Sequence, residues 1–400
     1  MVYTKKEVMQ YVSEEDVKFI RLAFCDAFGT QKNISVMPGE LERAFESGIG
    51  IDASAITGFG GEVFSDLLLF PDPSTLSVLP WRPSHGKVVR MFCSIKYSNG
   101  EPFECDTRRI LKEAVKTAMS EGYSFTFGSE MEFYLFKTDE DGNPTDIPYD
   151  RAHYMDVAPM DKGENIRREI CLTLEQMGIR PESSHHEEGP GQNEIDFKFS
   201  DPLTAADNAV TFVWVVKTVA ARNGLYADFS PKPIADKSGS GFHINVSVSG
   251  SHDILPSAIA GVMNRIDAVT VFLNPAESSY GRLGSAKAPK FVTWSPENRS
   301  QLIRIPAADS EHRRFELRSP DCGANPYIAY ALLIYACLEG IRGGELPDVP
   351  ANINILSLSD EESKKYKKLP ETLSEAKKCA LNSDFVKKVL PDTVIKNYCK

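Results

Sequence analysis

Residues 128–136 read Gly-Ser-Glu-Met-Glu-Phe-Tyr-Leu-Phe, and polar and hydrophobic residues alternate along them. Successive side chains of a β-strand point to opposite faces of the sheet, so Glu130, Glu132 and Tyr134 share one face. The hydrophobic residues between them share the other face. The segment therefore predicts a strand that packs one face against a core and presents carboxylates on the other.

Three further segments alternate in the same way, at residues 194–199, 243–249 and 314–318. Their polar positions are Glu194, Asp196 and Lys198, then His243, Asn245 and Ser247, and finally Arg314, Glu316 and Arg318. Taken singly, each segment is compatible with an ordinary antiparallel sheet that has one solvated face. Together they favour a functional site, because acids, histidine and arginine stand where Lys, Thr and Ser usually decorate a solvated face.

If these polar faces line one cavity, their carboxylates repel one another. Two like charges ~4 Å apart cost on the order of 4 kcal/mol at an effective dielectric of roughly 20, so the cluster stays ionised only beside cations. Carboxylates with one imidazole and no paired cysteines favour Mg²⁺ or Mn²⁺ over structural zinc. Two such ions beside arginines suit phosphoryl transfer. A glycosidase also uses paired carboxylates, but it does not need this many acids together with His and Arg.

Composition and charge limit the class of protein. The 400 residues include 45 Lys and Arg against 56 Asp and Glu, and the net charge of −11 argues against nucleic acid as a partner. No hydrophobic run is long enough to cross a bilayer, and neither end has the hydrophobic core of a secretory signal, so no membrane partner is expected. Eight cysteines without a Cys-x-x-Cys pair predict reduced thiols. We expect a cytoplasmic protein.

The pattern along the chain predicts two domains. Residues 1–104 contain short β-rich runs at 17–24 and 87–95, broken by turn residues, and read as a small α+β unit. A helical period then begins, with Ile110, Leu111, Ala114, Val115, Ala118 and Met119 on one face. We place the boundary just before Cys105, so that residues 105–400 form the second domain. Its tail, residues 360–400, predicts a set of surface helices.

At this point the chain strongly resembles the glutamine synthetase family, type I. The resemblance runs nearly end to end and in family order. It rests on Ile51-Asp-Ala-Ser, Phe70-Pro-Asp-Pro, Gly128-Ser-Glu-Met-Glu-Phe, His185-His-Glu-Glu-Gly-Pro-Gly-Gln-Asn-Glu194, Pro231-Lys-Pro, Gly239-Ser-Gly-Phe-His243, Asn274-Pro, Asn298-Arg-Ser and Phe315-Glu-Leu-Arg-Ser-Pro-Asp-Cys-Gly-Ala-Asn-Pro326. It implies an α+β protein with an N-terminal β-grasp domain and a C-terminal catalytic α/β domain whose antiparallel strands line a funnel. It also implies a homo-oligomeric ring, commonly a dodecamer, with active sites shared between subunits.

The resemblance implies a role for each matching residue. For the metal ions it implies a first site of Glu132, Glu187 and Glu194, and a second site of Glu130, His243 and Glu316. For ATP it implies contacts by Glu182, Phe199, Ser247, Arg304 and Arg314. For glutamate and ammonium it implies Tyr154, Gly239, Arg282 and Arg318. The catalytic residues it implies are Asp52, Arg299 and Arg318, with Asp52 supplied by the adjacent subunit. His185 and His186 are expected to support the loop that carries Glu187.

The implied activity is an ATP-dependent ligase that makes glutamine from glutamate and ammonia through γ-glutamyl phosphate. Two alternatives remain open. One is a γ-glutamyl ligase that uses an organic amine in place of ammonia. The other is a catalytically silent family member, which should have lost metal ligands, whereas all six candidates are present here.

Two departures from the family pattern concern the substrate side. Ser238 stands where family members usually carry Asn before the Gly-Ser-Gly of the histidine loop. In the flap, Lys287 stands where the family has a Glu that helps to deprotonate ammonium, and no acid lies between Arg282 and Pro289. A cation at that position predicts weak affinity for ammonium. The opposing interpretation is that Lys287 points to solvent and that the shortened flap leaves room for a larger amine.

Overall fold

The computed structural model describes residues 3–60, 66–83, 85–250, 253–307 and 313–400. The strands are β1 Val17–Cys25, β2 Gln31–Val36, β3 Ile49–Asp52, β4 Asp66–Pro71, β5 Ser77–Val78, β6 Lys87–Tyr97, β7 Ser124–Thr138, β8 Pro144–Pro148, β9 Pro181–His186, β10 Gln192–Ser200, β11 Leu225–Asp228, β12 Phe242–Ser249, β13 Trp294–Pro296, β14 Ile303–Ile305 and β15 Phe315–Leu317. The helices are α1 Lys5–Glu14, α2 Leu41–Glu46, α3 Thr107–Ser120, α4 Glu164–Gln176, α5 Pro202–Arg222, α6 Leu255–Leu273, α7 Glu277–Arg282, α8 Pro326–Gly343, α9 Asp360–Ser363, α10 Leu373–Leu381, α11 Asp384–Val389 and α12 Asp392–Cys399.

The strands form two sheets, and the predicted α+β class is confirmed. The first sheet has the order β2-β1-β6-β4-β3, with β5 also paired to β6, and β1 runs parallel to β6. The second sheet has the order β13-β14-β15-β12-β7-β10-β9, and β8 and β11 also pair with β7. Every pairing that involves β7 is antiparallel. The 15-residue β7 therefore organises the second sheet, and it contains the sequence segment that alternates most regularly.

Helices cover the apolar face of the second sheet. Phe127 on β7 stacks on Tyr330 of α8, with ring centroids 4.3 Å apart, and the Tyr330 hydroxyl lies 2.6 Å from Ser129 Oγ. Helix α8 packs on α6 and α3, and the residues between Tyr327 and Leu338 are almost all buried. The apolar faces of the strands are thus used by the core, which leaves their polar faces for a site.

Sequence signals mark several helix ends. Asp106 precedes α3, and its carboxylate accepts the backbone N–H of Arg109, which is a standard N-terminal cap. Asn325 caps α8 in the same way, with Pro326 at the first helical position. The expectation that Met119 lies on the buried face of α3 is wrong, since it is 67% exposed. The predicted helices of the tail are confirmed as α9 to α12.

A buried ionic network joins the first sheet to the second domain. Arg108 on α3 donates to Asp207 on α5 at 2.9 Å and to Asp72 after β4 at 2.9 Å. The Tyr327 hydroxyl donates to the same Asp207 carboxylate at 2.7 Å. Within the described ranges, no helix combines the length and apolar character needed to cross a membrane.

Candidate active site

A cavity of about 570 Å³ opens on the polar face of the second sheet. Its described wall contains most of the predicted site residues. They are Glu130, Glu132, Tyr154, Glu187, Glu194, Gly239, His243, Arg282, Arg299, Arg304, Arg314 and Arg318. Strands β7, β9, β10 and β12 contribute to the wall, and so do the segments 282–288 and 299–307.

Strand register brings the acids together. Glu194 on β10 is directly opposite Glu132 on β7, and His243 on β12 is directly opposite Glu130. Residues paired across antiparallel strands have Cβ atoms about 4.5–5.5 Å apart, so these side chains must meet. The alternation along each strand puts them on the open face, and the pairing of the strands then aligns them in one row.

Glu130, His243 and Glu316 form one candidate metal group, with ligand atoms within 4.8 Å of one another. His243 Nδ1 lies 3.4 Å from Glu130 Oε2 and 3.7 Å from Glu316 Oε1. Burial, reinforced by the charge of Arg318, lowers the pKa of His243 to about 3. The imidazole is therefore neutral near pH 7 and has a lone pair to offer a cation.

Glu194 belongs to three further groups. It lies with His185 and Glu187 in one, with Glu132 and His243 in a second, and with Glu130 and Asp196 in a third. His185 Nε2 is 3.3 Å from Glu194 Oε1, so this histidine, which was expected to support the loop, borders the cavity. The Glu132 carboxylate is also fixed by a hydrogen bond, because the backbone N–H of Gly241 donates to its Oε2 at 2.8 Å. Glu132 and Glu187 thus both lie beside Glu194 but in separate groups.

The pKa values of this cluster show the cost of assembling it without cations. Burial, and then the charge of Glu132, raises the pKa of Glu187 to about 7 and that of Glu194 well above its usual range. Burial and the charge of Glu130 raise the pKa of Asp196 to about 7. Each of these carboxyl groups therefore holds its proton more tightly than a free carboxyl group does. A bound divalent cation would favour the ionised form instead.

Asp196 extends the cluster beyond the predicted ligands. It forms a group with Glu130 and Glu194, and its Oδ1 is buried without a hydrogen-bond partner among the described residues. A buried acceptor without a donor and a set of carboxylates with one neutral imidazole fit a hard divalent cation. The period-two pattern placed Asp196 on the face of Glu194, and that signal could have assigned it to the site.

Arginines also line the cavity. Arg304 donates to Glu316 Oε2 at 2.7 Å, and Arg318 donates to the other oxygen of the same fully buried carboxylate. Arg318 also donates to the Arg299 carbonyl, which ties its guanidinium to the segment that carries Arg299. These groups present positive charge at the edge of the acidic cluster, as phosphate and carboxylate ligands require.

Arg282 and Gly239 lie together in the cavity wall. The Arg282 guanidinium is 2% exposed and donates to the carbonyl groups of Ser319 and Arg318. A Cβ at Gly239 would lie 2.4 Å from the Pro231 carbonyl and 2.8 Å from Arg282 Cγ. The glycine is therefore needed for the backbone to approach the arginine this closely.

An adjoining cavity of about 490 Å³ holds other residues that the resemblance assigned to ATP. Glu182, Phe199 and Arg314 line it, and Asn245 lies between them. Asn245 donates to Glu130 Oε1 at 2.7 Å and accepts from Arg314 at 3.0 Å, so it connects the two cavities. Sequence reasoning gave Asn245 no role, although it shares the polar face of His243. Ser247 lies farther along β12, opposite Thr126, and is not among the described lining residues.

Phe199 does not follow the alternation of side chains predicted for β10. The pattern placed it on the face opposite Glu194, together with Phe197. The pairing of β10 with β7 shifts between Phe197 and Ser200, and this irregularity exposes Phe199, at 60%, to the adjoining cavity.

Asp52 lies apart from these residues. It ends β3 opposite Asp66 in the first sheet and is exposed, with its carboxylate accepting from Ser54. It is absent from the described wall of the cavity. Within one subunit, the structure therefore does not bring Asp52 to the other predicted catalytic residues.

Lys287 and Tyr154 both line the cavity. Lys287 Nζ lies 2.6 Å from Glu188 Oε1 and 5.5 Å from the centre of the Tyr154 ring. Lys287 therefore pairs with a carboxylate at the cavity wall, and its side chain is 55% exposed. Glu188 was not predicted as a site residue, and nothing in the period-two patterns points to it, because it lies in the loop between β9 and β10.

Comparison with known proteins places this site in a family. The description "Glutamine synthetase, beta-Grasp domain" matches residues 16–98, and "Glutamine synthetase, catalytic domain" matches residues 104–400. The glutamine synthetase of Methanosarcina mazei is 43% identical, over 99% of this chain and 92% of that protein. That of Clostridium saccharobutylicum is 42% identical, over 99% and 93%.

Solved structures with a similar fold include two related proteins. A GmaS/ADP complex has a TM-score of 0.88 at 27% identity, covering 98% of this chain and 94% of that one. The cryo-EM structure of Plasmodium falciparum glutamine synthetase has a TM-score of 0.87 at 22% identity, covering 99% and 94%, and at that identity the likeness is one of fold. Because both family domains match in order and relatives above 40% identity align over nearly the full length, the chain belongs to the glutamine synthetase family.

Proposed function

We propose that the protein is an ATP-dependent ligase that forms glutamine from glutamate and ammonia. The observation that carries this proposal is one cavity in which clustered carboxylates and a neutral His243 meet a wall of arginines. The glutamate γ-carboxylate attacks the γ-phosphorus of ATP, and ADP leaves. Ammonia then attacks the γ-glutamyl phosphate, phosphate leaves, and a proton is released as the amide forms.

Two divalent cations, Mg²⁺ or Mn²⁺, belong to this proposal. Glu132, Glu187 and Glu194 would hold one ion, and Glu130, His243 and Glu316 would hold the other. The raised pKa values of Glu187 and Glu194 and the neutral His243 support these assignments. When bound, such ions neutralise the phosphates and orient them for attack.

We assign the rest of the predicted residues in the same way. ATP lies across the adjoining cavity, which Glu182, Phe199 and Arg314 line. It also contacts Arg304 in the wall of the first cavity and Ser247 farther along β12. Glutamate binds at Gly239, Arg282 and Arg318, where buried guanidinium groups suit a carboxylate. Arg299 and Arg318 stabilise charge on the transferring phosphoryl group. Tyr154 lies on the ammonium side, where it borders Lys287.

The proposed assembly is a homo-oligomeric ring, a dodecamer, in a cytoplasmic protein with domains at residues 1–104 and 105–400. It is supported by the position of Asp52, which is exposed on the first sheet and apart from the cavity of its own subunit. A neighbouring subunit would bring Asp52 to the site. Mixing inactive Asp52→Ala and Glu316→Ala subunits under reassembly conditions should restore part of the activity. No recovery in hybrid rings confirmed by mass would contradict a shared site.

The central test is phosphate release from ATP in the presence of glutamate and ammonium, with glutamine measured as the product. Glu194→Gln should abolish both, whereas the exposed turn variant Glu140→Gln should leave both unchanged. Product formation by Glu194→Gln at the wild-type rate would contradict the proposed site.

A second candidate is a γ-glutamyl ligase that uses an organic amine. It is favoured by Lys287, which replaces the flap acid and lies in the cavity wall. Replacing ammonium with a panel of primary amines in the same assay separates the two candidates. Faster phosphate release with an amine than with ammonium at equal concentration would favour the second.

A further inference from the structure

Both departures from the family pattern meet at Glu188. Ser238 Oγ donates to Glu188 Oε2 at 3.0 Å, and Lys287 Nζ lies 2.6 Å from Oε1. Glu188 directly follows Glu187, and its backbone N–H donates to Glu187 Oε2 at 3.0 Å. One carboxylate therefore connects the segment that carries Lys287 to the loop that carries a candidate metal ligand.

The surroundings of Lys287 Nζ are those of a recognised ammonium group. It has a carboxylate at hydrogen-bond distance, and the face of Tyr154 is 5.5 Å away. A carboxylate and an aromatic face are the two partners that hold alkylammonium ligands in proteins. Tyr154 is fixed from its other side by an edge contact with His185, at 5.4 Å between centroids. All four side chains line the same cavity.

We propose that Glu188 and Tyr154 form a subsite for the ammonium or primary alkylammonium substrate, and that Lys287 Nζ occupies it as a tethered competitor. This inference rests on the proposed ligase function. An incoming amine must displace Lys287 before it can bind. Lys287 therefore sets the apparent affinity for the amine, and its contacts are with Glu188 and Tyr154.

The expected change in the amine KM is modest, because the ion pair between Lys287 and Glu188 is partly exposed to solvent. The side chains of Lys287 and Glu188 are 55% and 38% exposed, and ion pairs in such positions are weak. Lys287→Met removes the charge at similar length and should lower the amine KM about two- to fivefold. The KM values for ATP and glutamate should not change. Lys287→Arg keeps the cation and should keep the high amine KM.

Lys290→Met is the matched control. Lys290 lies three residues away, its Nζ is 3.8 Å from Glu371, and it is not among the described lining residues of the cavity. It should leave the amine KM unchanged. In a Glu188→Gln background, Lys287→Met should no longer lower the amine KM, because the carboxylate that both cations compete for is absent. An unchanged amine KM in folded Lys287→Met, or the same decrease in both backgrounds, would overturn the proposal.

A second readout does not depend on activity. The ion pair should protect Lys287 Nζ from acylation, so Glu188→Gln should increase its acylation rate several-fold, with Lys290 as the internal reference. Mass spectrometry of the digested protein measures both. Equal acylation rates in the wild type and Glu188→Gln would overturn the pairing. If no variant, the wild type included, releases phosphate, the proposed function fails, and the acylation rates still report on Lys287 and Glu188.

Discussion

Binding of a divalent cation to the metal-free protein should release protons. The pKa of Glu187 is raised to about 7 by burial and the charge of Glu132, and the same two causes raise the pKa of Glu194 well above its usual range. Near pH 6 both groups therefore hold their protons. A metal ligand must be deprotonated, so each proton leaves when the cation binds.

The magnitude follows from Glu187. For a pKa of about 7, the ionised fraction of Glu187 rises about tenfold between pH 6 and pH 8, which gives about a tenfold gain in metal affinity, or about 1.4 kcal/mol. The raised pKa of Glu194 acts in the same direction. We expect the apparent affinity for Mg²⁺ or Mn²⁺ to rise by about tenfold or more.

As pH rises, the affinity for metal should increase, whereas the free energy of unfolding of the metal-free protein should decrease. Because the folded pKa of Glu187 lies above the unfolded value of 4.5, the folded state binds more protons than the unfolded state between these values. The free energy of unfolding therefore falls as pH rises through this window. Added cation should cancel this loss, since binding to the folded state alone stabilises it.

Isothermal titration calorimetry in two buffers of different ionisation enthalpy measures both affinity and proton release. Glu187→Gln should lower the number of released protons by about one near pH 6. Asp141→Asn, in an exposed turn, removes the same charge and should change nothing. An affinity independent of pH, without proton release, would refute the assignment of these carboxylates to a cation site.

Three further predictions concern stability. Arg108→Met leaves Asp207 and Asp72 without their shared partner and should lower the free energy of unfolding by about 3–5 kcal/mol, seen as a lower melting temperature. Burial opposes ionisation of Asp72, but the charge of Arg108, the hydrogen bond from Ser74 and the charge of Lys112 together outweigh it and lower the pKa of Asp72 to about 2. The stability advantage of the wild type over Asp72→Asn should therefore be lost as pH falls from about 4 through about 2. A Cβ at Gly340 would lie 2.1 Å from the Ser257 carbonyl, so Gly340→Ala should separate α8 from α6 and cost about 3 kcal/mol or more in thermal unfolding. A melting temperature of Arg108→Met or Gly340→Ala equal to that of the wild type, or a parallel acid profile for Asp72→Asn, would contradict the corresponding argument.

The sequence alone determined which face of each strand carries the site. Side chains alternate strictly in a regular strand, so spacing by itself assigns Glu130, Glu132, Glu194 and His243 to the polar faces of their strands. The burial of the intervening Met131, Phe133, Ile195 and Ile244 in the core is confirmed, whereas Phe199 is exposed. The residue types then indicated divalent cations, because that number of acids repels itself without them.

Tertiary structure decided which strands are neighbours and therefore which acids meet. The pairings of Glu132 with Glu194 and of Glu130 with His243 depend on the order and register of the second sheet. The shift in pairing before Ser200 depends on that same sheet, and it turned Phe199 toward the adjoining cavity against the local pattern. Local periodicity contains no information on either point.

The contacts of Lys287 are the part of the site that depends most on tertiary structure. Glu188, Ser238 and Lys287 lie in three loops separated by about 50 residues each, and loops have no period from which a side-chain direction can be read. The sequence showed that Lys287 is a cation where an acid was expected. Only the fold showed that the cation faces a carboxylate, because contacts between distant loops are set by how the strands that carry them pack.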